Sequence, residues 1–163
     1  MREIYHVATA SLIAVGSVAQ PVFALDAIGT VTARLGGADL TWQVLRTDDG
    51  ASTVQVNDIG PLTMIDLHAA GDGDVYVGLI FTGDPSAGVA PSGLTIDMRP
   101  EGAAGPAWKS EGAAQPPQVR FERLDLDGAG RMEASFTAIL CRGDAPATCE
   151  TVEGRIDTNL GVP

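Results

Sequence analysis

The stretch Gly130-Arg-Met-Glu-Ala-Ser-Phe-Thr-Ala-Ile-Leu-Cys-Arg-Gly-Asp-Ala-Pro-Ala-Thr-Cys-Glu-Thr-Val-Glu-Gly-Arg-Ile-Asp-Thr-Asn-Leu160 decides the fold class of this chain. Met132, Ala134, Phe136, Ala138 and Leu140 alternate with Glu133, Ser135, Thr137 and Ile139. After a loop, Val152, Gly154, Ile156, Thr158 and Leu160 alternate with Thr151, Glu153, Arg155, Asp157 and Asn159. A period of two marks a strand with one buried face, so the stretch is expected to form a hairpin with both arms turning one face inward. Gly143, Asp144 and Pro146 supply the turn through free φ, local side-chain bonding and fixed φ respectively. Cys141 and Cys149, the only cysteines in the chain, bracket a loop longer than a tight turn, so a cross-link there has something to constrain.

Whether that cross-link forms depends on compartment, which the N-terminus addresses. Residues 1–24 open with Arg2, offset by Glu3, continue through an apolar stretch from Val7 to Ala19, and end on Val22-Phe23-Ala24. That is the layout of a cleavable secretory signal with a small-x-small cut. Cleavage after Ala24 is preferred because it leaves Leu25-Asp26 at the new end, with Ala19 as the second choice. The rival reading, an uncleaved anchor, is disfavoured because the apolar stretch is short for a membrane span and contains Thr9, Ser11, Gly16 and Ser17. No cysteine stands at the cut, which argues against a lipid-anchored form. Export implies a periplasmic or secreted, oxidising location where two nearby cysteines bridge. A redox pair would prefer C-x-x-C spacing, and a zinc site would need more ligands than remain. The chain-entropy model assigns so short a loop about 2.5 kcal/mol.

Residues 25–163 have the commonest size for one domain. The chain carries 21 acidic and 10 basic residues, a net charge of −11, with the acids scattered along it. Scattered acids read as a solvated surface. Nucleic acid is not an expected partner, since phosphate binding needs a basic footprint, and anionic membrane surfaces are disfavoured for the same reason.

Strands are expected at Ile28 to Arg34, at Asp39 to Arg46 with Trp42 as a core anchor, and at Ser52 to Val56. A second hairpin, Leu62 to Ala69 with Asp74 to Thr82, turns across Ala70 to Gly73. Its second arm is the most apolar strand after the signal and is placed centrally in a sheet. Leu94 to Met98 resumes a strand. Arg99 to Pro117 is the least regular part, where only Ala107-Trp108-Lys109 could pair briefly. In Gln118 to Leu126 the alternation slips between Phe121 and Leu124, so a β-bulge is expected near Glu122-Arg123. With no helix-period segment after the signal, the expected fold is all-β: an antiparallel β-sandwich of nine or ten short strands, with a β-barrel as the alternative.

Two patterns carry a resemblance. Gly29-Thr-Val-Thr-Ala33 followed by Gly37-Ala-Asp-Leu-Thr-Trp42 forms the first, and Gly130 to Phe136 with Cys141, Cys149 and Gly154-Arg-Ile156 the second. In them the chain resembles small exported bacterial β-sandwich domains of uncharacterised function. The resemblance implies fold and export, not activity.

Chemistry-bearing motifs are few. His68, the single histidine after the signal, shares a strand face with Asp66, but no serine sits in a G-x-S-x-G elbow. His68 therefore reads as an ordinary strand-end residue. No phosphate-binding or dinucleotide fingerprint is present, and no catalytic residue or cofactor is assigned. Asp125-Leu-Asp127-Gly128 and Asp72-Gly-Asp74 could offer oxygens to Ca²⁺, but each lacks the rest of a calcium loop, and turn chemistry accounts for them. No metal ligand is assigned. Trp108, between Pro106 and Lys109, is the aromatic expected to be most reachable from solvent. Such a residue can contact a glycan or protein partner, but the preferred reading folds it back over a sheet edge. The expectation is an exported, non-enzymatic module, binding or structural, in the cell envelope. The alternatives are a small secreted hydrolase whose carboxylates assemble in three dimensions and a calcium-stabilised binding domain.

Overall fold

The computed structural model describes residues 25–47, 50 and 52–161. The expected signal segment, its cleavage point, and Asp48, Asp49 and Ala51 lie outside the described residues. The described chain is all-β, with ten strands: β1 (Leu25–Leu35), β2 (Ala38–Thr47), β3 (Val54–Ile59), β4 (Leu62–Gly71), β5 (Gly73–Thr82), β6 (Gly93–Arg99), β7 (Trp108–Lys109), β8 (Gln118–Asp125), β9 (Arg131–Arg142) and β10 (Cys149–Asn159).

The closing hairpin forms as its alternation requires. β9 and β10 pair from Cys141↔Cys149 to Arg131↔Asn159, and Met132, Phe136, Leu140, Val152, Ile156 and Leu160 are all buried. Gly154 lies opposite Phe136, whose ring fills the space where a Cβ on Gly154 would sit. The second hairpin pairs Leu62 with Thr82 through to Gly71 with Gly73, and β5 is paired along both edges, by β4 and β6. The alternation slip in β8 is a register shift between Phe121 and Arg123. The bulge lets Phe121 and Leu124 both turn inward.

The sandwich expectation is corrected: the sheet closes into an antiparallel barrel, the stated alternative. Strands follow one another as β1, β2, β4, β5, β6, β7, β9 and β10, and β10 pairs back onto β1. β3 and β8 lie outside this ring, on β4 and β9. The physical reason lies in the two long strands β4 and β9, each of which shares one edge between two partners. β4 pairs with β3 along Leu62–Leu67 and then with β2 at Ala70 and Gly71. β9 pairs with β8 along Arg131–Thr137 and then with β7 at Cys141 and Arg142. Each long strand thus passes from one wall into the other. Closure also pairs strand edges that an open sandwich would leave unpaired.

Three contacts in the ring are narrow, the two-pair contact of β7 with β9 among them. β2 meets β4 only at Trp42↔Gly71 and Gln43↔Ala70, and β7 meets β6 only at Asp97↔Lys109 and Met98↔Trp108. The interior between the walls is filled by side chains. Trp42, Ile65, Leu67, Leu79, Phe81, Ile96 and Met98 are essentially inaccessible, and the rings of Phe81 and Phe121 meet across the core at 5.9 Å. Trp108 belongs to this interior. It is 9 % exposed, which agrees with the preferred fold-back reading and not with the alternative of an aromatic open to solvent. Among the described residues no helix is long and apolar enough to cross a membrane.

Candidate ligand-binding cleft on the outer face

The outward side chains of the barrel wall form a row that crosses six strands in register: His68 on β4, Tyr76 on β5, Asp97 on β6, Lys109 on β7, Cys141 on β9 and Cys149 on β10. Directly opposed residues on one face have Cβ atoms about 5 Å apart, so the row is a continuous band of neighbours. An adjacent row places Asp74 opposite Arg99. Between the rows lies a cleft of about 190 Å³ lined by His68, Asp74, Tyr76, Asp97, Arg99, Ala107 and Lys109.

Each wall has a structural cause. The Tyr76 side chain runs along its own strand over Gly78, the one residue type that leaves room for it, and its hydroxyl donates to Asp66 Oδ1 at 2.6 Å. The His68 ring lies against Tyr76, with centroids 4.8 Å apart. Asp74 faces Arg99 at 3.9 Å. The far wall is held by the closing hairpin. Its Gly143 N–H donates to the Ala107 carbonyl at 2.8 Å, and the Arg142 guanidinium sits 5.9 Å from the Trp108 ring. The disulfide between Cys141 and Cys149 is formed, and Cys141 pairs directly with Lys109. The cysteine staple therefore stands behind the cleft.

The electrostatics centre on Asp97. Its Oδ1 is enclosed and has no hydrogen-bond partner among the described residues. Burial pushes its carboxyl above the usual carboxylate range, Lys109 opposes that shift and Glu111 reinforces it. Lys109 makes no ion pair among the described residues. A base and an acid thus lie side by side without closing on one another.

No family model, curated protein or solved structure matches this chain. The functional reading therefore rests on the cleft itself.

Tyr76 offers a direct probe. Burial, with the Asp66 hydrogen bond and charge behind it, raises its pKa to about 12. A phenol that stays protonated longer when folded stabilises the fold fully below pH about 10, its unfolded value, and that contribution is lost as pH rises toward about 12. In a Tyr5→Phe background, tyrosinate absorbance should appear near pH 12. Asp66→Asn should move it partway back toward pH 10, because burial remains. A midpoint unchanged by Asp66→Asn would contradict the hydrogen bond.

The sequence-derived candidates fall in several places. His68 and Asp66 share a face as expected, yet they meet through Tyr76 and have no serine with them. Asp74 lines the cleft in its pair with Arg99. Asp125 accepts from the Asp127 N–H at 3.0 Å and pairs with Arg123 at 3.2 Å, which holds its carboxyl below the usual range. That is the turn chemistry its spacing suggested. Asp125 and Asp127 also line a groove with Asp58 and Asp84, but among the described residues no three His, Cys, Asp or Glu side chains gather as a metal-holding group. A larger surface groove, about 470 Å³, runs past Pro91, Leu94, Pro116 and Val119 and has no titratable side chain in its lining.

Sequence reasoning missed Tyr76, Asp97, Arg99 and Lys109. One signal was available: centring the hairpin on Asp72 pairs His68 with Tyr76. Asp97 and Lys109 follow loops with no fixed register, so their placement is a tertiary fact.

Proposed function

We propose that this protein is an exported, non-enzymatic barrel module of the cell envelope that acts by binding, with the outer-face cleft as its ligand site. The observation that carries the binding reading is a small cleft lined by both signs of charge, in which Asp97 and Lys109 stand directly opposite one another without an ion pair. A ligand that pairs with both would satisfy charges that the fold leaves without a salt bridge. Export is supported by the signal-like residues 1–24, by the disulfide, and by the resemblance to small exported bacterial domains.

The test is an amide chemical-shift survey with amino acids, amines, carboxylates and monosaccharides. Perturbations should cluster at His68, Tyr76, Asp97 and Lys109, and their absence across the survey would remove the cleft reading. The raised proton affinity of Asp97 favours one competitor, a hydrolase using Asp97 as general acid. Turnover of model glycosides, esters or peptides that Asp97→Asn abolishes would replace binding with catalysis.

A further inference from the structure

We infer that the cleft takes a small zwitterion, a free α-amino acid of the size of glycine or alanine, with its ammonium on Asp97 and its carboxylate on Lys109 and Arg99. The inference rests on the cleft being a binding site and adds the class of ligand.

Three observations converge on it. Both signs of charge line one small space: Asp74 and Asp97 against Arg99 and Lys109. A purely anionic ligand would meet the two carboxylates, and a purely cationic one the two bases. A ligand carrying both charges on adjacent atoms can satisfy an acid and a base that stand directly opposite one another across two strands without pairing. The Asp97 carboxylate in the lining supplies the acceptor that an ammonium needs, and the Lys109 ammonium supplies the donor that a carboxylate needs.

Size is the second constraint. The cleft, about 190 Å³, has room for the few heavy atoms of a small amino acid carrying both charges.

The third observation weighs against a sugar. Sugar sites use an open aromatic face, and here the Tyr76 ring has His68 against it while the Trp108 ring is turned into the core.

The experiment titrates the folded protein, followed by amide shifts and calorimetry, with glycine, L-alanine, methylammonium, acetate and glucose. Glycine and alanine should perturb the amides around Asp97 and Lys109 and bind at least tenfold tighter than methylammonium or acetate. Asp97→Asn and Lys109→Met should each weaken that binding tenfold or more while leaving the rest of the amide spectrum in place. Equal binding of acetate or methylammonium, or perturbation by glucose alone, would overturn the zwitterion and leave a binding cleft of another class. Glycine binding unaffected by both substitutions would also overturn it. If none of the five probes perturbs the cleft, the zwitterion and the binding reading fall together.

Discussion

Trp42→Ala is expected to lower the free energy of unfolding by about 4 kcal/mol, the largest loss from any single substitution considered for this chain. Trp42 is 1 % exposed and lies opposite Val31 on one side and Gly71 on the other. The indole therefore fills the core and also backs one of the narrow contacts of the barrel, where β2 and β4 share two residue pairs. Truncation removes the transfer energy of the ring and leaves a cavity beside a contact too short to collapse independently. Against a domain stability of roughly 5–15 kcal/mol this is a large fraction. Urea unfolding should show a lower midpoint with the slope unchanged. A loss below about 2 kcal/mol would mean that the seam relaxes to refill the space and that the closure does not depend on Trp42.

Replacing both cysteines, Cys141→Ser with Cys149→Ser, is expected to cost about 2.5 kcal/mol and to lower the melting temperature by roughly 8 °C, with the fold retained. The bond closes a loop of sequence separation 8 and constrains the unfolded chain only locally. The apolar face of the same hairpin outweighs it. Met132, Phe136, Leu140, Val152, Ile156 and Leu160 are each 3 % exposed or less, and each fully buried side chain is worth roughly 1.5–3 kcal/mol before conformational entropy is subtracted. The loss should also be local. Amide protection should fall at Arg142, at the cross-linked end of β9, and at Trp108 and Lys109, which pair with that end, while β4 and β5 keep theirs. Complete loss of β circular dichroism at room temperature would reverse this ranking. An unchanged melting temperature would remove the disulfide from the stability account.

These two results separate what could be read along the chain from what could not. The hairpin arms, the inward Trp42 and the bulge in β8 were legible because each is written in the parity of neighbouring residues. A strand has only two faces, and a burial pattern declares which residues share one. Barrel against sandwich was not legible, because it turns on β4 and β9 each dividing one edge between two partners. Nothing in the alternation of Leu62–Gly71 says that its last two residues leave β3 behind and reach β2. The stretch from Arg99 to Pro117 reads as irregular, yet its two-residue strand carries the closing contacts on both sides. Prolines and glycines mask so short a strand, and Trp108 looks like an exposed loop aromatic until its barrel position is known.

The same division holds for the cleft. By itself the sequence determined an all-β chain, two hairpins, a cysteine pair suited to bridging, and the shared face of Asp66 and His68. It did so because those properties depend on residues close together in the chain, where strand period and turn chemistry suffice. Only the tertiary structure decided that the sheet closes, that Trp108 turns inward, and that His68, Tyr76, Asp97 and Lys109 stand in one row with the disulfide behind them. Those depend on registers across loops of variable length, which are chosen by packing of the whole interior and not by any local preference.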